Sequence, residues 1–571
     1  MSKLEYLKIS HFRGVESFEQ RFCNGITCII GRGDSGKSTI LEAISLLFAQ
    51  SWTIRLNDSD FYECNIDNPI IIEGTVSGLP HELITKYDNH VRGILPDGKL
   101  IDDMESDEAK ESEHVLSIRL TIKRDLEPLW EVVSNNGEDP TSIKAEDRGK
   151  INVYAVTDYT DRHFSMNKGT PLYSLYKQLK GYVVEDTSNT VLDIVRNAKK
   201  AFDKTVGDSF NEVVSVVKVK AEELGIALNK MNANLDHSDI AINENKVSIH
   251  ENGIPFRLKG KGSKRLLSLA IQLALTEPSG VILIDEVEQG LEPDRVRHLV
   301  NVLSKYTDRQ IIITTHSSNV IVEIPCDSIY IMRKGARVLM HVEGDVQGCV
   351  RKNPEAFFAR KVIVCEGPTE IGLCRALNQF RIKENMMSLA CLGVGMVNGH
   401  GSELEKYVLG FNALGFKTAL LCDSDDKNIN YLKPTIKTKG VLVVDCEDDL
   451  AIEQQIFKEV NWDMVRDIVA LYYKISQDEG LTEDQAKQRV FSQVHAQLGK
   501  PKEHYYEQWL DEDNIELRSA FGAAAKKDKG WFKTEGKASA LITIILPLIK
   551  DPKNKSHIKQ EFEMLSNWID A

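Results

Sequence analysis

The run GRGDSGKST at 31–39 constrains this chain most. It follows the apolar, β-branched stretch ITCII and precedes STILEAISLLFAQ, where apolar residues recur at helical spacing. The run is therefore a loop joining a buried strand to a helix. That setting is where G-x-x-x-x-G-K-S holds phosphate. Backbone N–H groups from Gly31 through Gly36 (with Arg32, Gly33, Asp34 and Ser35 between) approach the oxygens. Lys37 reaches the terminal phosphates, Ser38 offers a hydroxyl to Mg²⁺, and Thr39 opens the helix.

A loop of this kind needs a second strand carrying acids. VILIDEVE at 281–288 supplies one. Asp285 ends an apolar run, where a carboxylate can hold hydrated Mg²⁺, and Glu286 is placed to polarise an attacking water. Between the two motifs, RLKGKGSKRLLSLAI places Gly260, Gly262 and Ser263 at a helix start. Its place before VILIDE resembles the signature loop of ABC ATPases. GLEPD at 290–294 sits where that family has its D-loop, and His316, in THSS after the strand QIIIT, matches its switch histidine. ISHFRG near the N-terminus resembles the first strands of RecF and SMC ATPases. LNDSDF at 56–61 falls where those proteins have a Q-loop, although Asp60 reads equally as a loop acid capping a helix.

A chain of 571 residues exceeds one core, so two to four domains are expected. No apolar run is long enough for a membrane span, and the N-terminus lacks a secretory h-region, so a cytoplasmic protein is expected. The ten cysteines are scattered singly, which reads as reduced core residues rather than zinc ligands or disulfides. The net charge of −14 argues against a protein that coats nucleic acid non-specifically, but it suits a site crowded with carboxylates.

The fold class is α/β. The expected divisions are an ATPase N-terminal part at 1–169, a helical insertion at 170–238, an ATPase C-terminal part at 239–345 and a linker at 346–358. A second α/β unit follows at 359–571, with its own helical insertion at about 451–525. The first insertion interrupts the nucleotide machinery and reads as helical arms for dimerisation or as a plain helical subdomain.

The second unit brings other chemistry. KVIVC at 361–365 runs into Glu366-Gly367, with Glu370 one helical turn on. TALLC at 418–422 runs into DSDD, which carries Asp423 and Asp425. Open α/β sheets bind ligands at the carboxyl ends of their strands. Acids gathered there repel unless a divalent cation neutralises them, and hard oxygen donors favour Mg²⁺ or Mn²⁺ over zinc. In KKDKGWFKTEGKASAL, five lysines among twelve residues are interleaved with Trp531 and Phe532, a local patch that attracts phosphate.

The order strand–Glu-Gly, helix, strand–Gly, helix, strand–Asp-x-Asp resembles the Toprim domain, with CLGVG at 391–395 fitting the middle glycine turn. A RecF/SMC-like ABC ATPase followed by Toprim resembles the OLD (overcoming lysogenization defect) nucleases, among them the Gabija nuclease subunit and retron-associated effectors. That resemblance implies ATP and Mg²⁺ or Mn²⁺ as cofactors, with Glu366, Glu370, Asp423, Asp425 and a later acid as metal ligands. Glu453 is the first choice for the later acid, ahead of Glu447, Asp448 and Asp449. A late lysine near the scissile phosphate is also implied, with Lys537 ahead of Lys533. The implied activity is nucleotide-regulated, metal-dependent DNA endonuclease action in antiphage defence. The implied partners are DNA, a second copy of the chain, and a helicase or a reverse transcriptase with its RNA–DNA hybrid. The alternative is a repair or SMC-like ATPase whose Toprim-like half binds nucleic acid without cutting it. A topoisomerase would need a tyrosine nucleophile, and Tyr407 and Tyr431 have no setting for that role.

Overall fold

The structure is a computed structural model. It describes residues 2–571 except 157–159, 166–169, 181–209, 236–246, 277–279, 343–345, 402, 499–506 and 528–529. The chain forms two compact units, Met1–Val342 and Glu343–Ala571.

The first unit is built on two sheets. One orders its strands Val153–Val156, Val281–Ile284, Gln310–Thr315, Gly25–Ile30, Ile329–Ile331 and Met340–His341. All neighbours are parallel except the last pair. VILI and QIIITT are buried at every position, as strands covered on both faces should be. The helix Lys37–Leu47 leaves the Gly25–Ile30 strand and buries Ile40, Leu41, Ala43, Ile44 and Leu47. The other sheet is antiparallel and includes Val15–Arg21, Lys3–Phe12, Ile70–Ser77, Glu113–Ile122 and Pro128–Val133. Its strands pack Leu7, Ile9, Ile72, Leu120 and Trp130 into one core with Ile44 and Leu47 of that helix.

The stretch expected as a helical insertion is helical at Pro171–Lys180 and at 210–223. It then turns into a strand, Met231–Leu235, paired antiparallel with Val247–Glu251. Its middle, 181–209, lies outside the described residues, and so does any arm there.

The second unit carries a four-stranded parallel sheet ordered Val394–Asn398, Lys361–Cys365, Lys417–Leu421, Leu442–Val444. Helices Pro368–Lys383, Leu404–Ala413 and Lys427–Thr438 make the crossovers that parallel pairing requires. Residues 346–358, read from sequence as a linker, hold a helix, Gln347–Lys352, and a 3₁₀ turn, Pro354–Phe358. Phe357 is buried there and packs against Phe411 at 5.0 Å, so this segment belongs to the unit's core.

After the sheet, helices Ile452–Glu459, Trp462–Asp478, Glu483–Leu498, Ile515–Lys526 and Glu535–Lys550 gather a second core around Phe457, Val465, Tyr472, Phe521 and Trp531. Helices Pro368–Lys383 and Glu535–Lys550 meet closely at Gly372. A Cβ there would lie 2.5 Å from the Glu535 carbonyl and 2.6 Å from the Ala538 Cβ. The helix His557–Asp570 closes the unit. The carbonyls of Trp568 and Ile569 accept from the Lys361 ammonium at 3.1 and 2.8 Å.

Candidate functional site

In the first unit the phosphate loop spans the strand end and the first turn of its helix, with Gly36 as N-cap. Lys37 is folded back. Its ammonium donates to the carbonyls of Gly31 and Arg32, both at 2.9 Å, and burial lowers its pKa to about 8 against the pull of nearby acids. The register between Val281–Ile284 and Gln310–Thr315 puts Asp285 beside Thr314. Ser38 Oγ donates to Asp285 Oδ1 at 3.0 Å, and Thr314 Oγ1 donates to the same oxygen at 2.6 Å. The Glu286 N–H in turn donates to Thr314 Oγ1 at 2.8 Å. Glu286 has φ 46°, a left-handed conformation that a non-glycine residue adopts at a cost, and such outliers cluster at working sites. His316 follows the neighbouring strand. Its N–H donates to Glu288 Oε1 at 2.7 Å, and partial burial, then Lys37, lower its pKa.

Gly262 and Ser263 lie in the first turn of the helix Lys261–Leu275, capped by Gly260. Gly262 packs on the D-loop position: an added Cβ would meet the Gly290 carbonyl at 2.5 Å. Arg265, buried one turn on, donates to the Asp285 and Glu286 carbonyls and to Gln289 Oε1. Thr314, Glu288 and Arg265 escaped the sequence reading, because their role depends on strand register and helix docking rather than on a motif. Asp60 accepts from Arg13 Nε at 2.7 Å and caps Asn57, so it serves as the capping acid of that loop.

In the second unit, pairing of Cys365 with Leu421 sets two strand ends side by side. Glu366 and Asp423 follow them. The Asp423 N–H donates to Glu366 Oε2 at 2.9 Å, and Glu366, Asp423 and Asp425 each bring a carboxylate oxygen within 4.8 Å of the others. Glu370 sits in the first turn of the next helix, where its Oε2 accepts from the Gly367 N–H at 2.8 Å. Asp423 Oδ1 accepts from the Ile452 N–H at 2.8 Å, which docks the helix carrying Glu453. Glu453 is 1% exposed, and neither of its carboxylate oxygens receives a hydrogen bond.

Burial raises the pKa of all four of Glu366, Glu370, Asp423 and Glu453. Neighbouring carboxylates add to the rise, and Glu370 reaches about 7. Among the described residues two lysines face the group: Lys533 Nζ lies 3.4 Å from Glu453 Oε1, and Lys526 pairs with Asp425. Burial lowers the Lys533 pKa, but the acids outweigh it, so the group is held more firmly charged than usual. Buried carboxylates short of donors and of positive charge make a donor set that fits one or more hard divalent cations. Asp445, His557 and Glu561 also lie close together, but they are satisfied among themselves and by Lys433.

With this geometry in place, two family profiles match. One, described as "AAA domain, putative AbiEii toxin, Type IV TA system", covers residues 26–323. The other, "Overcoming lysogenization defect protein-like, TOPRIM domain", covers residues 357–425. The chain belongs to the OLD-type ATPase–Toprim fusions.

Solved structures similar to it include an Smc head bound to the C-terminal winged-helix domain of ScpA, at 16% identity over 59% of this chain and 96% of that one, with TM-score 0.36. A Pyrococcus furiosus Smc head with an extended coiled coil shows 14% identity over 60% and 96%, with TM-score 0.36. The recombination mediator RecF with ATP shows 16% identity over 59% and 99%, with TM-score 0.35. No curated protein matches the sequence. Among the described residues no helix is long and apolar enough to cross a membrane.

Two expectations for the OLD-type Toprim half change. Lys537 is not beside the acids; its ammonium is taken by Glu479, and Lys533 stands there instead. Trp531 and Phe532, which interleave these lysines, are fully buried in the helical core. CLGVG leads into its strand, whose first two residues are Val394 and Gly395, and the glycine turn at the strand's carboxyl end is Gly399-His400-Gly401. Of the later acids, Glu453 reaches the group while Glu447 pairs with Lys458.

The raised carboxyl pKa values have a consequence for stability. Glu370 titrates near 7 when folded and near 4.5 in its ordinary state. Between those values the folded protein keeps protons that the unfolded chain has released, so stability falls as pH rises. In chelator, the melting temperature is expected to rise as the pH is lowered from about 7.5 to about 5.5. Asp423→Asn should flatten that slope, and an unchanged slope would show that these acids are not the cause.

Proposed function

We propose that this chain is a metal-dependent DNA endonuclease, controlled by the nucleotide its ATPase unit binds, and an effector of antiphage defence. The convergence of Glu366, Asp423 and Asp425 at one sheet edge, with Glu370, Glu453 and Lys533 packed around them, carries this reading. These five acids would hold Mg²⁺ or Mn²⁺. Such ions, when bound, supply Lewis acidity for phosphodiester hydrolysis. Lys533, kept charged by its neighbours, offsets negative charge that develops on the scissile phosphate. Burial of Glu370 and Glu453 keeps bulk water from screening them.

In the ATPase unit, the loop 31–39 holds the nucleotide phosphates, Ser38 and Asp285 hold its Mg²⁺, and Glu286 and His316 face the terminal phosphate. Gly262 and Ser263 of one copy complete the site of a second copy, so the working form is at least a dimer. A helicase or a reverse transcriptase with its RNA–DNA hybrid is the expected operon partner, which a pull-down from the native operon would identify.

The test is nicking of supercoiled plasmid. Nicking should require Mg²⁺ or Mn²⁺ and stop in chelator. Lys533→Ala should slow it on the order of 10²-fold, the scale of one lost electrostatic donor, while Lys537→Ala stays within about threefold. Plasmid binding without cleavage in both metals would replace the nuclease reading with that of a nucleic-acid-binding ATPase.

A further inference from the structure

Like charges gathered at one strand end repel, so the turn that carries Asp423 and Asp425 has to be held in place. Lys433 holds it. This lysine stands in the helix Lys427–Thr438 that leaves the turn, on the buried face between Ile429 and Ile436. Its ammonium returns to the turn. It donates to the Asp423 carbonyl at 3.1 Å and to Ser424 Oγ at 2.7 Å, and it pairs with Asp445 Oδ2 at 3.0 Å. Three protons thus meet three oxygens. Lys433 is 7% exposed, and lysine is seldom buried unless it is paired in this way.

Ser424, between the two aspartates, is the residue by which the turn is gripped, and it is also buried. Its hydroxyl accepts from Lys433 and donates to the Cys446 carbonyl at 2.6 Å. Its N–H donates to the Leu450 carbonyl at 3.0 Å. Its own carbonyl accepts from the Asp449 N–H at 3.1 Å and from Asn430 Nδ2 at 2.6 Å. With the backbone fastened there, the carboxylates on either side converge with that of Glu366.

Lys433 differs from the two lysines that face the acids. Lys526 and Lys533 meet the carboxylates of Asp425 and Glu453. On this turn Lys433 meets a carbonyl and a hydroxyl, and its charge goes to Asp445, which follows the neighbouring strand Leu442–Val444. An ammonium is costly to bury, and an apolar side chain of similar length would fill the same space without that cost.

We infer that Lys433 is a positioning residue for the acid group: by gripping the Asp423 carbonyl and the Ser424 hydroxyl it aims Asp423 and Asp425 at one point and so sets how tightly a divalent cation is held. The inference rests on the reading of these acids as cation ligands.

The test is Mn²⁺ binding by the full-length protein without nucleotide or DNA, read from the electron paramagnetic resonance signal of free Mn²⁺. Binding that Glu366→Gln loses marks the share of the acid group. Lys433→Met combined with Asp445→Asn removes one charge of each sign, so the field at the acids changes little while the grip on the turn is gone. This double variant is expected to bind Mn²⁺ at the acid group about tenfold more weakly, the scale for losing a partner that orients ligands. Ser424→Ala removes one of the two grips with no change of charge and should weaken binding about threefold. It decides alone if the double variant fails to fold.

Lys433→Met by itself separates position from charge. Removing a positive charge tightens cation binding if Lys433 acts through its field, and weakens it if Lys433 acts through the turn. Tighter or unchanged binding overturns the inference. So does a lower melting temperature in chelator with unchanged Mn²⁺ affinity, the mark of a brace for the fold alone. Equal Mn²⁺ binding by wild type and Glu366→Gln ends the cation reading and this inference together. Binding that Glu366→Gln loses and the double variant keeps ends this inference and leaves the cation reading. Weakened binding in the double variant with no cleavage by wild type in any divalent metal ends the nuclease and leaves Lys433 its role.

Discussion

Replacing Glu366 by Gln is expected to reduce plasmid cleavage by about three orders of magnitude while the fold survives. That loss corresponds to about 4 kcal/mol of transition-state stabilisation, the scale of what a metal-holding carboxylate contributes. Gln keeps an oxygen to accept the Asp423 N–H and removes one charge from a crowded edge. Burial and the neighbouring acids Asp425 and Asp426 already push the Glu366 carboxyl toward its neutral form. The metal-free variant should therefore melt no lower than the wild type, and added Mg²⁺ should raise its melting temperature less. Cleavage at the wild-type rate sinks the assignment. So does a loss of activity explained by a melting temperature well below that of the wild type.

Trp531→Ala should destabilise the second unit by about 3–5 kcal/mol, the range for truncating a buried aromatic. Trp531 is 0% exposed, stacks on Tyr472 with centroids 4.6 Å apart and donates its indole N–H to Gln493 at 2.7 Å. Truncation leaves a void, an unpaired Gln493 oxygen and one aromatic face fewer in the core. Urea unfolding would show this as a lower midpoint, with Trp531→Phe falling between. The next residue, Phe532, is equally buried, and Lys533 follows directly. Cleavage should therefore fall with Trp531→Ala even under conditions where the protein remains folded. An unchanged midpoint would mean that this indole does not anchor the segment.

Much of this was legible in sequence. The phosphate loop, the acid strand at 281–286 and the Toprim strand ends announce themselves because each combines a buried apolar run with a polar residue at its last position. That combination is rare without a reason, and the strands lie where those runs are. What stayed hidden depends on packing. Lysine spacing alone could not separate Lys533 from Lys537. Burial of Trp531 and Phe532 turns one toward the acids and leaves the other with Glu479. A Trp-Phe pair among lysines also looks the same in sequence whether it faces nucleic acid or a core, so the burial of Trp531 and Phe532 is visible only in the structure. Thr314 and Arg265 work through strand register and helix docking, which no local motif encodes. Lys433 was missed because only burial distinguishes it among the lysines of its helix.

The late position of Lys533 has a consequence for biosynthesis. A ribosome delivers Glu366, Asp423 and Asp425 first, then the helices from Ile452 onward, and only afterwards Trp531, Phe532 and Lys533. Until then the nascent chain displays acids that repel one another and lacks the Lys533 that sits beside Glu453. Under the proposed nuclease function, a growing polypeptide is thus held back from cutting until its helical core has closed, and its own order of synthesis serves as a safety catch.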